Sequence, residues 1–130
     1  MSFKNPFENW SQRDILLSEA ISCIIHDEMR LAVIGKYGHV FDLALVRGSG
    51  IGGDPGWQIK HMTETSGPGS FLIEVGPEPW SSELSKECYS AHEVFAAIED
   101  HLNDYAVRHQ EHKDVVGKVL AYLPDYWNRL

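Results

Sequence analysis

A chain of 130 residues, 43% hydrophobic and 23% charged, has the size and composition of a single domain spanning residues 1–130. It needs neither a disulfide nor a metal to close its core. Its formal net charge of −8 argues against the two partners that demand a basic surface. These are a nucleic-acid backbone, bound when Lys and Arg release counterions from phosphate, and an anionic membrane; a basic protein remains compatible.

From Met1 to Trp10 the chain carries Pro6 and Glu8 and no apolar core segment, so it does not read as a secretory signal. No apolar run approaches the roughly 20 residues that span a bilayer, and the expected location is the cytoplasm. Cys23 and Cys88 form no CxxC pair. They read as small buried hydrophobes in a reducing compartment.

The first element is a helix over about 12–26. Ser11 and Asp14 form a loose capping box, Trp10 and Ile15 a hydrophobic staple. Leu17, Ile21, Ile24 and Ile25 then recur at helical spacing. Two strands are expected next, Arg30 to Ile34 and His39 to Arg47, around a turn at Gly35-Lys-Tyr-Gly38. Apolar residues on both faces of the second mark it as central. Trp57 to Thr65 alternates as a third strand, and after the turn at Ser66–Gly69 a fourth carries Phe71, Ile73 and Val75.

Gly76 to Glu87 reads as an irregular connection. Ser90-Ala-His-Glu93 is a full capping box, with Tyr89 and Val94 as its staple. Val94, Ile98, Leu102 and Tyr105 form the stripe of the helix that follows. His109–His112 is the expected joint to a further helical stretch with Val115, Val116, Val119 and Leu120, which Pro124 ends. The expected class is α+β, an antiparallel sheet of about four strands with helices packed on one face, in the order α-β-β-β-β-α-α.

Gly48-Ser-Gly-Ile-Gly-Gly53 matches the dinucleotide fingerprint GxGxxG. The pyrophosphate of such a ligand must meet a helix N-terminus. Here a turn and a strand follow, so no cofactor is expected and the segment reads as a connection between strands. His109 and His112 lie three apart, and His92 and His101 flank Glu99 and Asp100. These make pairs, not the three-ligand set of a catalytic zinc, and no metal is expected. No GxSxG elbow is present. His61 is the one candidate base of an alternative reading, a small enzyme or small-molecule-binding domain with its pocket near the Gly48–Gly56 loop.

The charge distribution carries the leading reading. From Glu64 to Cys88 there are five acids and one base, Lys86, together with Trp80 and three prolines. An aromatic anchor among carboxylates suits a protein-binding surface, so Trp80, Glu78, Glu83 and Glu87 are the candidate partner-binding residues. The size and charge resemble those of immunity proteins that neutralise toxins. The order of elements resembles that of small acidic bacterial chaperones of secreted effectors; both are likenesses of class, not of motif. A non-enzymatic inhibitor, immunity protein or adaptor acting on a basic protein is the expectation. A structural homodimer built on the aromatics of Asp125–Leu130 is a further alternative.

Overall fold

In a computed structural model the described residues are 11–46, 50–51, 56–62, 70–76 and 86–128. Their order is α1 (Gln12–Ala32), α2 (His39–Phe41) running into a π-turn (Asp42–Val46), β1 (Gly50–Ile51), β2 (Gly56–Met62), β3 (Ser70–Gly76), β4 (Lys86–Ser90), α3 (Ala91–Arg108), a 3₁₀ turn (Gln110–His112), α4 (Lys113–Leu120) and α5 (Leu123–Asn128). The class is α+β, with helices on one face of an antiparallel sheet. The expected order of strands is corrected at three places.

The first correction is the length of α1. The Ser11 side chain accepts the Asp14 N–H at 3.1 Å and starts the helix as read, but the helix runs on through the expected strand Arg30–Ile34. Its buried stripe continues through Ile24, Ile25, Glu28, Met29 and Ala32. It stops where Gly35 takes a left-handed φ of 88°. The Lys36 N–H bonds to Leu31 O and the Gly35 N–H to Ala32 O, each at 3.0 Å, the paired closure of a Schellman motif.

The second correction concerns His39–Arg47. Val40, Phe41, Ala44 and Leu45 are buried, and spacings of one and four residues are helical, not alternating. The segment turns helically onto the sheet as α2 and the π-turn. The third is β4, which takes Lys86 and Glu87 from the stretch read as irregular and runs on to Ser90. Phe71 pairs with Tyr89, and Ile73 with Glu87, across the β3–β4 ladder.

The body of the sheet is therefore three antiparallel strands, β2, β3 and β4, with the two-residue β1 paired outside β2. Trp57, Ile59, Phe71, Ile73, Val75 and Tyr89 are buried and form the inner layer against α1 and the π-turn. Gln58, Lys60, Glu74, Lys86 and Cys88 on the other face are exposed. This period-two split fixes the register, since a one-residue slip would invert every side chain.

The capping box of α3 closes as read. The Ser90 hydroxyl accepts the Glu93 N–H at 3.2 Å, and Glu93 accepts the Ser90 N–H at 3.3 Å. Val94, Ile98 and Leu102 are fully buried, whereas Tyr105 is half-buried. Pro124 does not end α4, which stops at Leu120; it stands in the first turn of α5, where a missing N–H costs nothing. Beyond it Tyr126 is buried, its ring edge-on to Phe41 at 6.4 Å.

Candidate functional site

Among the described residues Glu28 is the most deeply buried acid. Helical spacing places it on the apolar stripe of α1, where it is 0% exposed. A carboxylate there must be satisfied internally, and it is: Oε2 accepts the Gly38 N–H at 2.9 Å, and Oε1 accepts the Val40 and Phe41 N–H groups at 3.1 and 3.3 Å. Burial nevertheless raises its pKa above the ordinary value, against the lowering pull of those backbone bonds. The carboxylate thus caps α2 from beneath, doing for a three-residue helix what an N-cap side chain does elsewhere. Gly38 itself has φ 76°. The Tyr126 hydroxyl donates to its carbonyl at 2.8 Å, and a Cβ there would collide with that hydroxyl.

Above this pinned turn lies a cleft of 540 Å³ lined in part by Leu31, Tyr37, His39, Asp42, Tyr122 and Asp125. The ammonium of Lys118 stands 5.4 Å from the Tyr37 ring centroid. A second concavity, of 680 Å³, is a groove between α3 and the α4–α5 corner. Phe95, Ala96, Leu120, Leu123 and Pro124 give it an apolar floor, with His92, Glu99 and Asn103 at its polar edge. Glu99 and its neighbour Asp100 are exposed.

A third constellation ties α1 to the start of α3. The Arg13 guanidinium bonds both oxygens of Glu93 at 2.5 and 3.1 Å and the Cys88 carbonyl at 2.7 Å. It lies 4.4 Å over the Tyr89 ring, and the Tyr89 hydroxyl donates to the Arg13 carbonyl. The hydrogen bond from Arg13 holds the Glu93 carboxyl below its ordinary value. Burial raises the Tyr89 phenol. The set is a structural tie whose every member is spent on another.

Ser18 and His101 meet at 3.1 Å between α1 and α3, and the other ring nitrogen of His101 is 2.8 Å from the Ala97 carbonyl. That carbonyl can only accept, so Nδ1 carries a proton, and in the neutral ring Nε2 accepts the Ser18 hydroxyl. The pair has the nucleophile–base distance. Both residues, however, stand in helix interiors, where backbone N–H groups are spent on the helix and none is left to form an oxyanion hole. It reads as an interhelical tie.

Of the residues singled out from the sequence, Trp80, Glu78 and Glu83 lie outside the described residues, as do Trp10 and most of the Gly48–Gly56 loop. Glu87 is half-buried at the β3–β4 ladder, its carboxylate accepting the Cys88 N–H at 2.9 Å. The backbone of His61 is paired with Phe71 in β2–β3; its side chain is outside the described set. His109 and His112 both lie beside the Tyr105 ring, at 4.3 and 6.4 Å between centroids. Among the described residues no three His, Cys, Asp or Glu side chains converge as a metal site. Neither cysteine is in a disulfide. Cys88 is exposed, which corrects the expectation of two buried thiols; Cys23 is half-buried, and burial pushes its thiol up to about 11. No described helix is long and apolar enough to cross a membrane.

Sequence reading missed Glu28, the cleft and the groove. The available signal for Glu28 was positional, an acid four residues after Ile24 and seven after Ile21. The cleft and groove join segments about 80 and 25 residues apart in sequence, which no local pattern reports. Comparison with protein-family models, curated proteins and solved structures returned no match.

Proposed function

We propose that the chain is a non-enzymatic protein-binding module that docks a basic partner, in the manner of an inhibitor, immunity protein or adaptor. The observation that supports this reading most directly is the groove between α3 and the α4–α5 corner. An apolar floor of Phe95, Leu120, Leu123 and Pro124 lies beside the exposed Glu99, which the exposed Asp100 follows in sequence, in a chain of net charge −8. Buried apolar anchors supply affinity, and flanking acids supply steering and register for a cationic partner. The occupant that fits is an amphipathic segment with apolar residues on one side and Lys or Arg on the other. The Trp80 segment, with Glu78 and Glu83, is a second candidate surface for the same partner.

The test is selection from a displayed library of cationic amphipathic peptides, using the wild-type chain and a Glu99→Lys, Asp100→Lys, Leu120→Gln variant as paired baits. Enriched peptides are expected to carry basic residues beside apolar anchors. They should bind the wild type at least about ten-fold more tightly than the variant and weaken as salt rises. No enrichment, or equal binding to both baits, removes the groove as the docking surface.

A further inference from the structure

The cleft above Gly38 has a composition that the docking groove does not share. Leu31 and Val40 offer apolar walls, Tyr37, Tyr122 and Tyr126 offer rings, and Asp42 and Asp125 bring carboxylates to its lining. The two helices of eight residues or more that end beside it do so with the same sign. The 21-residue helix α1 ends one residue after Leu31, and the eight-residue α4 ends two residues before Tyr122. Both therefore present their negative, carbonyl ends to the cleft. The opposing dipoles are the N-termini of two short helices: α2 at His39, whose N–H groups the Glu28 carboxylate takes up from below, and the six-residue α5 at Leu123. Carboxyl groups thus line the cleft, and one lies beneath it. Among the described residues the positive groups nearby are Lys118, at the Tyr37 ring, and the exposed Lys36 and Arg30 of the adjoining turn and helix end; His39 adds charge only when protonated.

The molecule also shows what Tyr37 accepts, because the Lys118 ammonium already lies 5.4 Å from its ring centroid. Attraction of an ammonium to the face of a tyrosine is general, and an alkyl stem lies well along apolar walls while its head stays polar. We propose that this cleft is a receptor for an alkylammonium group, the side chain of a lysine presented by a partner. The groove and the cleft share the α4–α5 corner but no lining residue. Only the source of the lysine rests on the docking reading, and a small probe tests the cleft without it.

The probe is Nα-acetyl-lysine-N-methylamide, followed through the tyrosine ring resonances in NMR. The matching norleucine amide, with the same stem and no charge, is the control. The lysine amide is expected to shift the Tyr37 and Tyr122 rings saturably at about millimolar concentration, and the norleucine amide not to. Lys118→Met removes the competing internal ammonium and should tighten binding roughly two- to five-fold; Asp125→Asn should weaken it by a similar factor. Loss of the lysine–norleucine difference, shifts spread over unrelated resonances, or a Lys118→Met chain that binds no better would overturn the proposal. A positive result here with a failed groove selection would leave the cleft standing and the groove not, and the reverse holds equally.

Discussion

Two carboxylates hold distant parts of this chain together, and they do so by opposite means. Glu93 ties the start of α3 to α1 through Arg13, at a junction where both side chains remain 38% exposed. Glu28 ties α1 to α2 without an ion pair among the described residues, fully buried and hydrogen-bonded only to backbone N–H groups. The environment reverses their titration: the guanidinium lowers one carboxyl, and burial raises the other. An exposed ion pair is screened and replaceable by water. A buried carboxylate is neither, so what it holds depends on it wholly. The turn that it holds is also the wall of the tyrosine-lined cleft.

The sharpest way to break that comparison is to remove each carboxylate's grip. Glu28→Leu relieves the burial of a charge but strands the N–H groups of Gly38, Val40 and Phe41. A buried donor without a partner costs about 1–3 kcal/mol, so the loss should reach about 3 kcal/mol or more, read as a fall in the urea midpoint at unchanged slope. Arg13→Met should cost about 1 kcal/mol or less, and less still in high salt. Equal losses in the two variants would mean that burial does not distinguish the junctions.

A somewhat smaller effect separates backbone conformation from the hydrogen bond that guards it. Gly38→Ala meets two penalties: a left-handed φ of 76°, worth roughly 1–2 kcal/mol for a residue with a Cβ, and collision with the Tyr126 hydroxyl. Together they should cost about 2–3 kcal/mol. Tyr126→Phe alone loses only the bond to the Gly38 carbonyl, about 1 kcal/mol. In the double variant the collision is gone, so the two losses should add to less than their sum. Strict additivity would show that the turn already relaxes away from Tyr126.

The same contrast explains what the sequence made legible. The Ser90–Glu93 box and the Ser11 cap were readable because they are local chemistry, closed within four residues. Two segments were misread as strands for definite reasons. Glu28 interrupts the apolar stripe of α1 with an acid whose partners lie 10–13 residues ahead. In His39–Arg47 the β-branched and apolar content outweighed the one-and-four spacing of Val40, Phe41, Ala44 and Leu45. β4 was missed because a single inward anchor, Tyr89, fixes it to the sheet, and one residue makes no period. Of the candidate site, the excess of acid was legible but its placement was not. Position in space comes from α3, α4 and α5 folding back on α1, and Glu99 gains its apolar neighbours Leu120 and Leu123 only there.

The finest discrimination is in pH. Glu93 has a folded pKa below its unfolded value. Its contribution is therefore present above the unfolded value, near 4.3 for a model carboxyl, and is lost as pH falls through the depressed folded value. Glu28 has a folded pKa above its unfolded value. Its contribution is therefore fully present below about 4.3 and is lost as pH rises through the raised folded value, because the folded state then holds the proton more tightly. The two groups bend the stability curve in opposite senses on either side of the ordinary carboxyl range. Glu93→Gln should flatten the rising limb on the acid side by lowering stability above it by about 1 kcal/mol or less, after screening at an exposed site, and leave the slope above that range unchanged. Glu28→Gln should lower stability throughout, since an amide offers one acceptor oxygen where the carboxylate offers two, yet remove the decline above the range. Urea midpoints from pH 3 to 7 for the three chains measure both limbs. If Glu93→Gln changes the slope of stability with pH on the neutral side, or Glu28→Gln changes it on the acid side, the two carboxylates are coupled and the contrast drawn between their junctions is wrong.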